Sequence, residues 1–486
     1  MNTPESAAGG SAGGSFEGSF GGSLPPETPL SAERLAELII AKDSSVWPQP
    51  NVAMTRLGWT DIHHRLSDQA SAIQSWAAGI DAQRVVLIGM GGSSLGPEVL
   101  RSAVGDRRLF VLDTTDPATV DSVPVDGSMF LVSSKSGGTL EVRSLLASMW
   151  DRIPDGSRFV AITDPGTELE RISQERSFSK VFVNDPDIGG RYSVLSYFGL
   201  VPAAVLGYDV ATLLERANSL DPVAAVRLGL EIANAALAGR DKLTIRVPET
   251  FAAFGLWVEQ LVAESTGKRG VGIVPVPTTV NESGPDRHHV DVHLGDPLDL
   301  GAEFLRWELA TAAMGHVLGI DPFDEPNVTE SKNNTQRVLD NLATGPLPSL
   351  PTAPANEVRN WLADTLQPGD YVSVQAYLPY GTEARIEALR QRITVQTGAA
   401  CTAGYGPRFL HSTGQLHKGG ANNVVVVQIV PSHPTALVNV PGAPYDFATL
   451  ISAQSIGDHA SLVDHGRRVI RVVVDATAQD PFVGIC

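Results

Sequence analysis

The sequence predicts an α/β protein built on doubly wound parallel β-sheets. Short apolar runs alternate regularly with amphipathic segments in the first part of the chain, and two of the connecting turns are rich in glycine and hydroxyl side chains. The predicted strands of this part are 84–88, 108–112, 128–132, 158–162 and 180–183. Such alternation is typical of parallel sheets, whose ligand-binding loops gather at the carboxyl edge.

The length of the chain and its changes in composition predict three folded segments after a tail. At 486 residues the chain is too long for one ordinary hydrophobic core. Residues 1–28 are dominated by Gly, Ser, Glu and Pro, and we expect them to form a disordered tail. We expect a first domain at 29–215, a second domain at 216–345 and a C-terminal α/β segment at 346–486.

Apolar spacing predicts the remaining elements in chain order. Helices are expected within 30–80, and a buried helix is expected between Arg191 and Leu206. In the second domain we predict helices at 222–238, 251–265, 300–318 and 327–342, and a strand at 242–247. In the C-terminal segment we predict strands at 371–377, 393–397, 423–429 and 468–474.

Charge and composition argue against several classes of protein. A formal charge of −18 is unfavourable for nucleic acid or an anionic membrane as the main partner. Cys401 and Cys486 are the only cysteines, which leaves no disulfide framework and suits a reducing cytoplasm. No apolar run approaches the roughly 20 residues of a membrane span. The first 28 residues also lack the basic and apolar regions of a signal peptide.

Two turns predict a phosphate-binding site. Gly89–Gly96 follows the first predicted strand, and Ser133–Thr139 follows the third. A strand that turns through small and hydroxyl residues into a helix presents free backbone N–H groups at the positive end of the helix dipole. Two such turns, rich in Ser and Thr, favour a sugar phosphate held by hydroxyl groups. Turns that merely connect strand to helix are the simpler alternative.

Nucleotide cofactors fit these turns less well. No G-x-x-x-x-G-K-[ST] string follows either strand, and the G-x-G-x-x-G pattern starting at Gly89 fails because Ser94 stands at its sixth position. Asp113 nevertheless ends the next strand, roughly where a ribose-binding acid is expected. A cofactor site therefore stays open as the less favoured interpretation.

Four side chains outside these turns are candidates for chemistry. Glu264 ends an apolar helix, where burial would raise its pKa as a general base requires, although a simple pair with Lys268 also explains it. Arg191 stands between a glycine pair and an apolar helix, which favours an anionic partner. His288 titrates near neutral pH, and Lys332 lies early in a helix, but both residue types are usually solvated in such positions. No third ligand with convincing spacing supports a metal site.

Five strings in this order resemble the phosphoglucose isomerase family, whose fold contains two sugar-isomerase-type domains. The strings are Gly89–Pro97 (GMGGSSLGP), Ser134–Thr139 (SKSGGT), Gly189–Ser193 (GGRYS), Glu264–Lys268 (ESTGK) and Phe323–Lys332 (FDEPNVTESK). The segment Gly404–Gly420 is similar to the isomerase half of bifunctional transaldolase–isomerase fusions. The chain has no room for a transaldolase barrel before residue 85, so the resemblance implies isomerisation alone.

The resemblance implies roles for the candidate residues. The residues implied to hold the substrate phosphate are Ser93, Ser134, Lys135, Ser136 and Thr139. Glu264 is implied as the base that moves a proton between C1 and C2, with Arg191 stabilising the intermediate. His288 and Lys332 are implied to assist opening of the sugar ring, His288 being chosen over His289. Gly92 and Glu325 are further substrate-site candidates, and Glu325 stands where the family commonly has Gln.

The implied activity is the interconversion of glucose 6-phosphate and fructose 6-phosphate without metal or cofactor. Two alternatives remain: an isomerase that also accepts mannose 6-phosphate, and a sugar-phosphate-binding regulator without catalysis. The presence of Glu264 weighs against the regulator, which has no need of a base. The expected partner is a small sugar phosphate, with no nucleic acid and no membrane, and the family resemblance implies a cytoplasmic homodimer.

Overall fold

The α/β class is confirmed in the computed structural model, which describes residues 30–343 and 345–485. The expected tail at 1–28 lies outside these residues. Within the described ranges the strands form three sheets of five, three and four strands, and every pairing between them is parallel. Each sheet lies within one of the three segments expected from the sequence.

The first sheet has the strand order β2-β1-β3-β4-β5. Its strands are β1 (Arg84–Ile88), β2 (Leu109–Leu112), β3 (Ser128–Ser133), β4 (Phe159–Thr163) and β5 (Lys180–Val183). All five strand predictions are therefore confirmed to within a residue at each end. Because β1 is flanked by β2 on one side and β3 on the other, the loops after β1 and β3 open a crevice at the carboxyl edge.

Ten helices accompany the strands of this sheet along the chain within the described residues. They are α1 (Ala32–Ile40), α2 (Pro50–Ala53), α3 (Ile62–Arg65), α4 (Ala70–Ala78), α5 (Leu95–Val104), α6 (Pro117–Asp121), α7 (Leu140–Arg152), α8 (Glu168–Glu175), α9 (Tyr197–Val205) and α10 (Val210–Asn218). The buried helix expected from Arg191 begins only at Tyr197. Residues Gly190–Tyr192 form a 3-10 turn instead, and Ser196 caps the helix by accepting from the Phe198 N–H.

The second sheet has the order β7-β6-β8. Its strands and helices are α11 (Pro222–Leu237), β6 (Lys242–Arg246), α12 (Ala252–Thr266), β7 (Val274–Thr278), β8 (Arg287–Asp291), α13 (Leu300–Leu318) and α14 (Pro326–Asp340). Helix α13 has the bounds predicted from its apolar spacing. The polar segment at Ser283–His289, expected to be a loop, instead runs into strand β8.

The third sheet has the order β10-β9-β11-β12. Its strands and helices are α15 (Val358–Thr365), β9 (Tyr371–Ala376), α16 (Glu383–Thr397), β10 (Ala400–Tyr405), α17 (Gly414–Gly419), β11 (Val424–Pro431), α18 (Phe447–Asp464) and β12 (Arg468–Val474). In the described part of the chain, no helix combines the length and apolar character that crossing a bilayer requires.

The strand predicted at 393–397 is wrong, because these residues form the last turn of α16. Ile386, Leu389 and Ile393 are buried at helical spacing, and this packing outweighs the β-propensity of the branched residues that follow. Gly398 ends the helix with a φ of 71°, and the strand starts at Ala400.

Strong ion pairs fix the segment that follows β10 against the rest of the fold. Arg408 donates from Nε and Nη2 to the two carboxylate oxygens of Asp113 at the end of β2, both at 2.8 Å. Asp113 thus has a protein partner and does not stand free for a ribose. In α17, Lys418 Nζ lies 2.6 Å from Asp458 Oδ1 of α18, and both side chains are fully buried. The C-terminal segment is therefore anchored at the carboxyl edge of the first sheet.

Candidate active site

The loop after β1 packs closely against two other segments. A Cβ on Gly92 would lie 2.0 Å from the carbonyl oxygen of Gly190, in the turn that carries Arg191. A Cβ on Gly91, whose φ is 55°, would lie 2.7 Å from the carbonyl oxygen of His411. Close packing thus requires glycine at position 92, which is also a predicted substrate-site residue. The loop after β1 contacts both the turn that carries Arg191 and the turn that carries His411.

We expect Gly92→Ala to destabilise the protein by about 1–3 kcal/mol, because the added methyl group has no room beside the backbone of Gly190. Gly190→Ala is the matched control, since a Cβ there meets nothing within 4 Å. The measurement is urea unfolding of both variants. Equal unfolding midpoints for the two variants would contradict the close approach of these loops.

Glu264 and Arg191 form a buried ion pair. Arg191 Nη1 lies 3.1 Å from Glu264 Oε1, and the two residues are only 4% and 8% exposed. The other guanidinium nitrogens of Arg191 donate to Ser265 Oγ at 3.0 Å and to the carbonyl oxygens of Pro322 and Asp324 at 3.0 and 2.7 Å. This network holds the guanidinium in one orientation beside the carboxylate.

The environment of Glu264 has the electrostatic character of a general base. Burial raises the pKa of the Glu264 carboxyl, and the charge of Glu325 adds to this rise. Arg191 and a hydrogen bond from Gln260 act in the opposite direction, but the net effect is a raised pKa of Glu264. The raised pKa expected from the sequence is therefore confirmed.

The alternative pairing of Glu264 with Lys268 is wrong. Lys268 Nζ lies 2.6 Å from Asp324 Oδ1 and donates to the carbonyl oxygen of Asp321 at 2.6 Å. Burial lowers the pKa of Lys268 to about 8, and the charge of Arg191 acts in the same direction. Lys268 thus supports the backbone around Asp324, which in turn accepts from Arg191.

Glu325 is the second carboxylate on Arg191. Its Oε2 accepts from Arg191 Nη1 at 3.1 Å, and its side chain is 46% exposed. Arg191 therefore lies between a buried carboxylate, Glu264, and a solvated one. This places the predicted candidate Glu325 in direct contact with the ion pair.

The loop after β3 is closed by its own hydroxyl groups. Ser134 Oγ donates to Thr139 Oγ1 at 3.4 Å, and Ser136 Oγ accepts from the Gly138 N–H at 3.3 Å. Thr139 stands at the N-terminus of α7, where the helix dipole favours an anion. Lys135, by contrast, forms an ion pair with Asp164 and donates to the Pro186 carbonyl oxygen at 3.0 Å. The charge of Lys135 is thus already paired within the protein.

A cleft of about 350 Å³ lies beside this loop. Ser136 and Thr139 line it, together with Lys332 of α14, Glu141 of α7 and His411. The structure therefore brings Lys332, an exposed cation, to the predicted phosphate site. The predicted phosphate ligand Ser93 is buried in the turn after β1, next to Gly92.

His411 lies in Gly404–Gly420, a polar and basic segment of the sequence that could line or cover a site, and it lines the cleft. His411 Nε2 lies 3.0 Å from Glu141 Oε1. Burial opposes ionisation of Glu141, but the charge and hydrogen bond of His411 outweigh it and lower the pKa of Glu141 to about 2. The apolar pair Phe409 and Leu410 just before this histidine is the sequence signal that favours a packed turn over a solvated loop.

Gln260 connects the cleft with the ion pair. Its Nε2 donates to Glu264 Oε2 at 3.1 Å and to the carbonyl oxygen of His411 at 2.7 Å. The buried carboxylate, the histidine turn and the hydroxyl-rich loop therefore belong to one site. Across the described residues, no group of three or more His, Cys, Asp or Glu side chains is arranged to hold a metal ion.

His288 does not join this site. It lies on β8, where its Nε2 is 3.7 Å from Glu231 Oε1 of α11, and burial lowers the pKa of His288. Among the contacts of the described residues, none links His288 to Arg191, Glu264 or the cleft. The role implied for His288 stays a prediction, and the histidine that lines the cleft beside the loop after β3 is His411.

Comparison with known proteins finds similar sequences and one similar fold. Residues 54–227 match the family model described as phosphoglucose isomerase. The glucose-6-phosphate isomerase of Campylobacter jejuni is 32% identical over 218 residues, which cover 40% of this chain and 53% of that protein. The glucose-6-phosphate isomerase of Trichormus variabilis is 30% identical over 210 residues, 38% of this chain and 40% of that protein. The chain spans about half the length of the curated relatives it matches.

Fold and site together define an α/β protein with a crevice at the carboxyl edge of its first sheet and a buried carboxylate–guanidinium pair. The matches add that residues 54–227 are similar to the phosphoglucose isomerase family. Among solved structures, a glucose-6-phosphate isomerase from Chlamydia trachomatis aligns with 71% of this chain and 82% of that chain, at 18% identity and a TM-score of 0.48.

Proposed function

We propose that this protein is an aldose–ketose isomerase that interconverts glucose 6-phosphate and fructose 6-phosphate. The observation that carries this function is the buried Glu264–Arg191 pair, joined through Gln260 to the cleft beside the hydroxyl-rich loop. The similarity of residues 54–227 to the phosphoglucose isomerase family supports the same reaction class.

In the proposed reaction, the ionised Glu264 takes the proton from C2 of open-chain glucose 6-phosphate. The electron pair left on C2 forms the C1–C2 double bond of a cis-enediolate, and the negative charge moves onto the C1 oxygen. The fixed guanidinium of Arg191 stabilises that charge. A proton then moves from the C2 hydroxyl to the C1 oxygen, which leaves the negative charge on the C2 oxygen. The electron pair on the C2 oxygen forms the C2 carbonyl as Glu264 returns its proton to C1, which yields the ketose, fructose 6-phosphate.

The substrate phosphate would lie at the loop after β3. The hydroxyl groups of Ser134, Ser136 and Thr139 and the N-terminus of α7 supply donors there, and Ser93 lies in the neighbouring loop. Lys332 lines the same cleft and adds a positive charge. Lys135 is paired with Asp164, so its role would be to stabilise the conformation of the loop.

Ring opening is assigned to His411 in place of His288. We expect His411→Asn to lower kcat/KM for the cyclic sugar phosphates by about 10²-fold, because general acid–base assistance is lost. His288→Asn is the matched control and should keep the wild-type value. The measurement is the coupled assay for both variants, and a loss confined to His288→Asn would restore the original choice.

Replacing Glu325 by Gln should shift the acid limb of the kcat/KM profile to lower pH. The charge of Glu325 raises the pKa of Glu264, so its removal lets Glu264 ionise at a lower pH. The check is a pH–rate profile of Glu325→Gln beside the wild type. A shift to higher pH would contradict this coupling.

The function is tested by incubating the purified protein with fructose 6-phosphate and EDTA and reading glucose 6-phosphate with a coupled dehydrogenase. We expect turnover that EDTA does not affect. Binding of 6-phosphogluconate without turnover would instead establish a non-catalytic sugar-phosphate-binding regulator. Equal turnover of mannose 6-phosphate would establish the dual isomerase. The homodimer and the cytoplasmic location stay predictions.

A further inference from the structure

A second cavity lies on the other side of the His411 turn. It encloses about 440 Å³, a volume typical of sites for small molecules. Helix α12 and the end of β7 form one wall, and β10 with α16 of the C-terminal sheet forms the opposite wall. Arg408 and Phe409, just before His411, line it as well. The residues that line this cavity are different from those of the cleft at the phosphate loop.

Glu259 of α12 lines this cavity without a partner. It is only 8% exposed, and in the described residues its carboxylate forms no hydrogen bond and no ion pair. Burying a carboxylate is unfavourable unless something pairs with it. Glu259 lies five positions before Glu264 on the same helix, and Glu264 is not among the residues that line this cavity.

The positive charges near Glu259 are already neutralised by other groups. Arg390 lies 2.6 Å from Glu282 and 2.7 Å from Glu387, and its Nη1 donates to the carbonyl oxygen of Cys401. Arg408 is held by Asp113. Neither the Arg390 guanidinium nor the Arg408 guanidinium pairs with Glu259. Among the described residues, the carboxyl group of Glu259 is therefore buried in the cavity wall without a cation or a hydrogen-bond donor.

The rest of the lining favours an apolar ligand body. Its apolar members include Leu95, Leu256, Val374, Ile386, Ala403 and Phe409. We propose that this cavity binds a small organic ammonium ion with an apolar body, whose ammonium group pairs with the carboxylate of Glu259. A ligand with a carboxylate in place of the ammonium would bring two negative charges together.

Protonation gives this binding a characteristic pH dependence. Burial raises the pKa of Glu259 to about 8. The positive charge of Arg390 acts to lower this pKa, and the negative charge of Glu387 acts to raise it. Glu383 and Arg408 also face the cavity. Because the ammonium ion needs the ionised carboxylate, binding releases a proton. The affinity for the ammonium ion should therefore increase by about tenfold for each unit by which the pH is raised towards pH 8.

The test is calorimetric titration of the full chain with three probes that share one apolar body: tryptamine, tryptophol and indole-3-acetate. At pH 8.5 we expect tryptamine to bind at least about tenfold more tightly than the alcohol, and the acid to bind most weakly. Glu259→Gln should remove the preference for the amine. Glu249→Gln, at an exposed site just before α12, is the matched control and should keep it.

Several results would overturn this assignment: no binding of tryptamine, equal binding of amine and alcohol, tightest binding of the acid, or an unchanged preference in Glu259→Gln. If Glu259→Gln fails to fold, the wild-type affinity for tryptamine between pH 6 and pH 8 decides. A rise supports the assignment and a flat profile overturns it. Binding is read without turnover, so the outcome is independent of the proposed isomerase activity.

Discussion

Glu264→Gln is expected to lower kcat for fructose 6-phosphate by about 10³-fold or more, because an amide cannot take the proton from carbon. The amide has nearly the same shape, so substrate binding should change little. Glu303→Gln is the matched control, since Glu303 of α13 is also 8% exposed but pairs with Arg306 away from the site. The measurement is the coupled assay for wild type and both variants.

Equal activity of Glu264→Gln and Glu303→Gln would remove Glu264 from the role of base. A fall in kcat without a change in the unfolding midpoint separates loss of chemistry from loss of fold. Retention of 6-phosphogluconate binding by Glu264→Gln would show that the cleft is intact.

Arg191→Met is expected to destabilise the protein by about 3–5 kcal/mol, because it leaves the buried Glu264 without its counter-charge. It also leaves the carbonyl oxygens of Pro322 and Asp324 without their donor. The loss should be larger at pH 8 than at pH 5, since Glu264 can take up a proton at the lower pH. The measurement is urea unfolding at both pH values.

The double variant Arg191→Met/Glu264→Gln provides the control for this effect. It removes both charges, so most of the lost stability should return, and the double-mutant cycle measures the coupling between the two groups. Additive losses would mean that Arg191 and Glu264 do not interact in solution. Arg191→Lys keeps the positive charge but loses the planar set of guanidinium donors. Its free energy of unfolding should therefore lie between those of the wild type and Arg191→Met.

Local patterns were sufficient to predict the first sheet and its loops. The five strands are buried apolar runs separated by amphipathic helices, so their order along the chain follows from spacing alone. The crevice between the loops after β1 and β3 follows from the parallel topology. The strand predicted at 393–397 failed because helical packing of Ile393 outweighed the β-propensity of its neighbours.

Contacts between distant segments could not be predicted from local patterns. Glu264 has Lys268 four positions away, yet its partner is Arg191 from another domain segment. His411 contacts Glu141, which lies 270 positions away in the sequence. The residues around either side chain do not predict this contact. The position of His288 on β8 could not be predicted either, because a polar segment gives no information about which part of the fold it reaches.

Exchange with solvent tests the central claim most directly. The protein is incubated with fructose 6-phosphate in D₂O, and the products are followed by ¹H NMR. Proton transfer by Glu264 predicts that glucose 6-phosphate appears, that deuterium enters at C2, and that Glu264→Gln prevents both. Glucose 6-phosphate that forms without any deuterium at C2 on prolonged incubation, or the same exchange in Glu264→Gln, would contradict it.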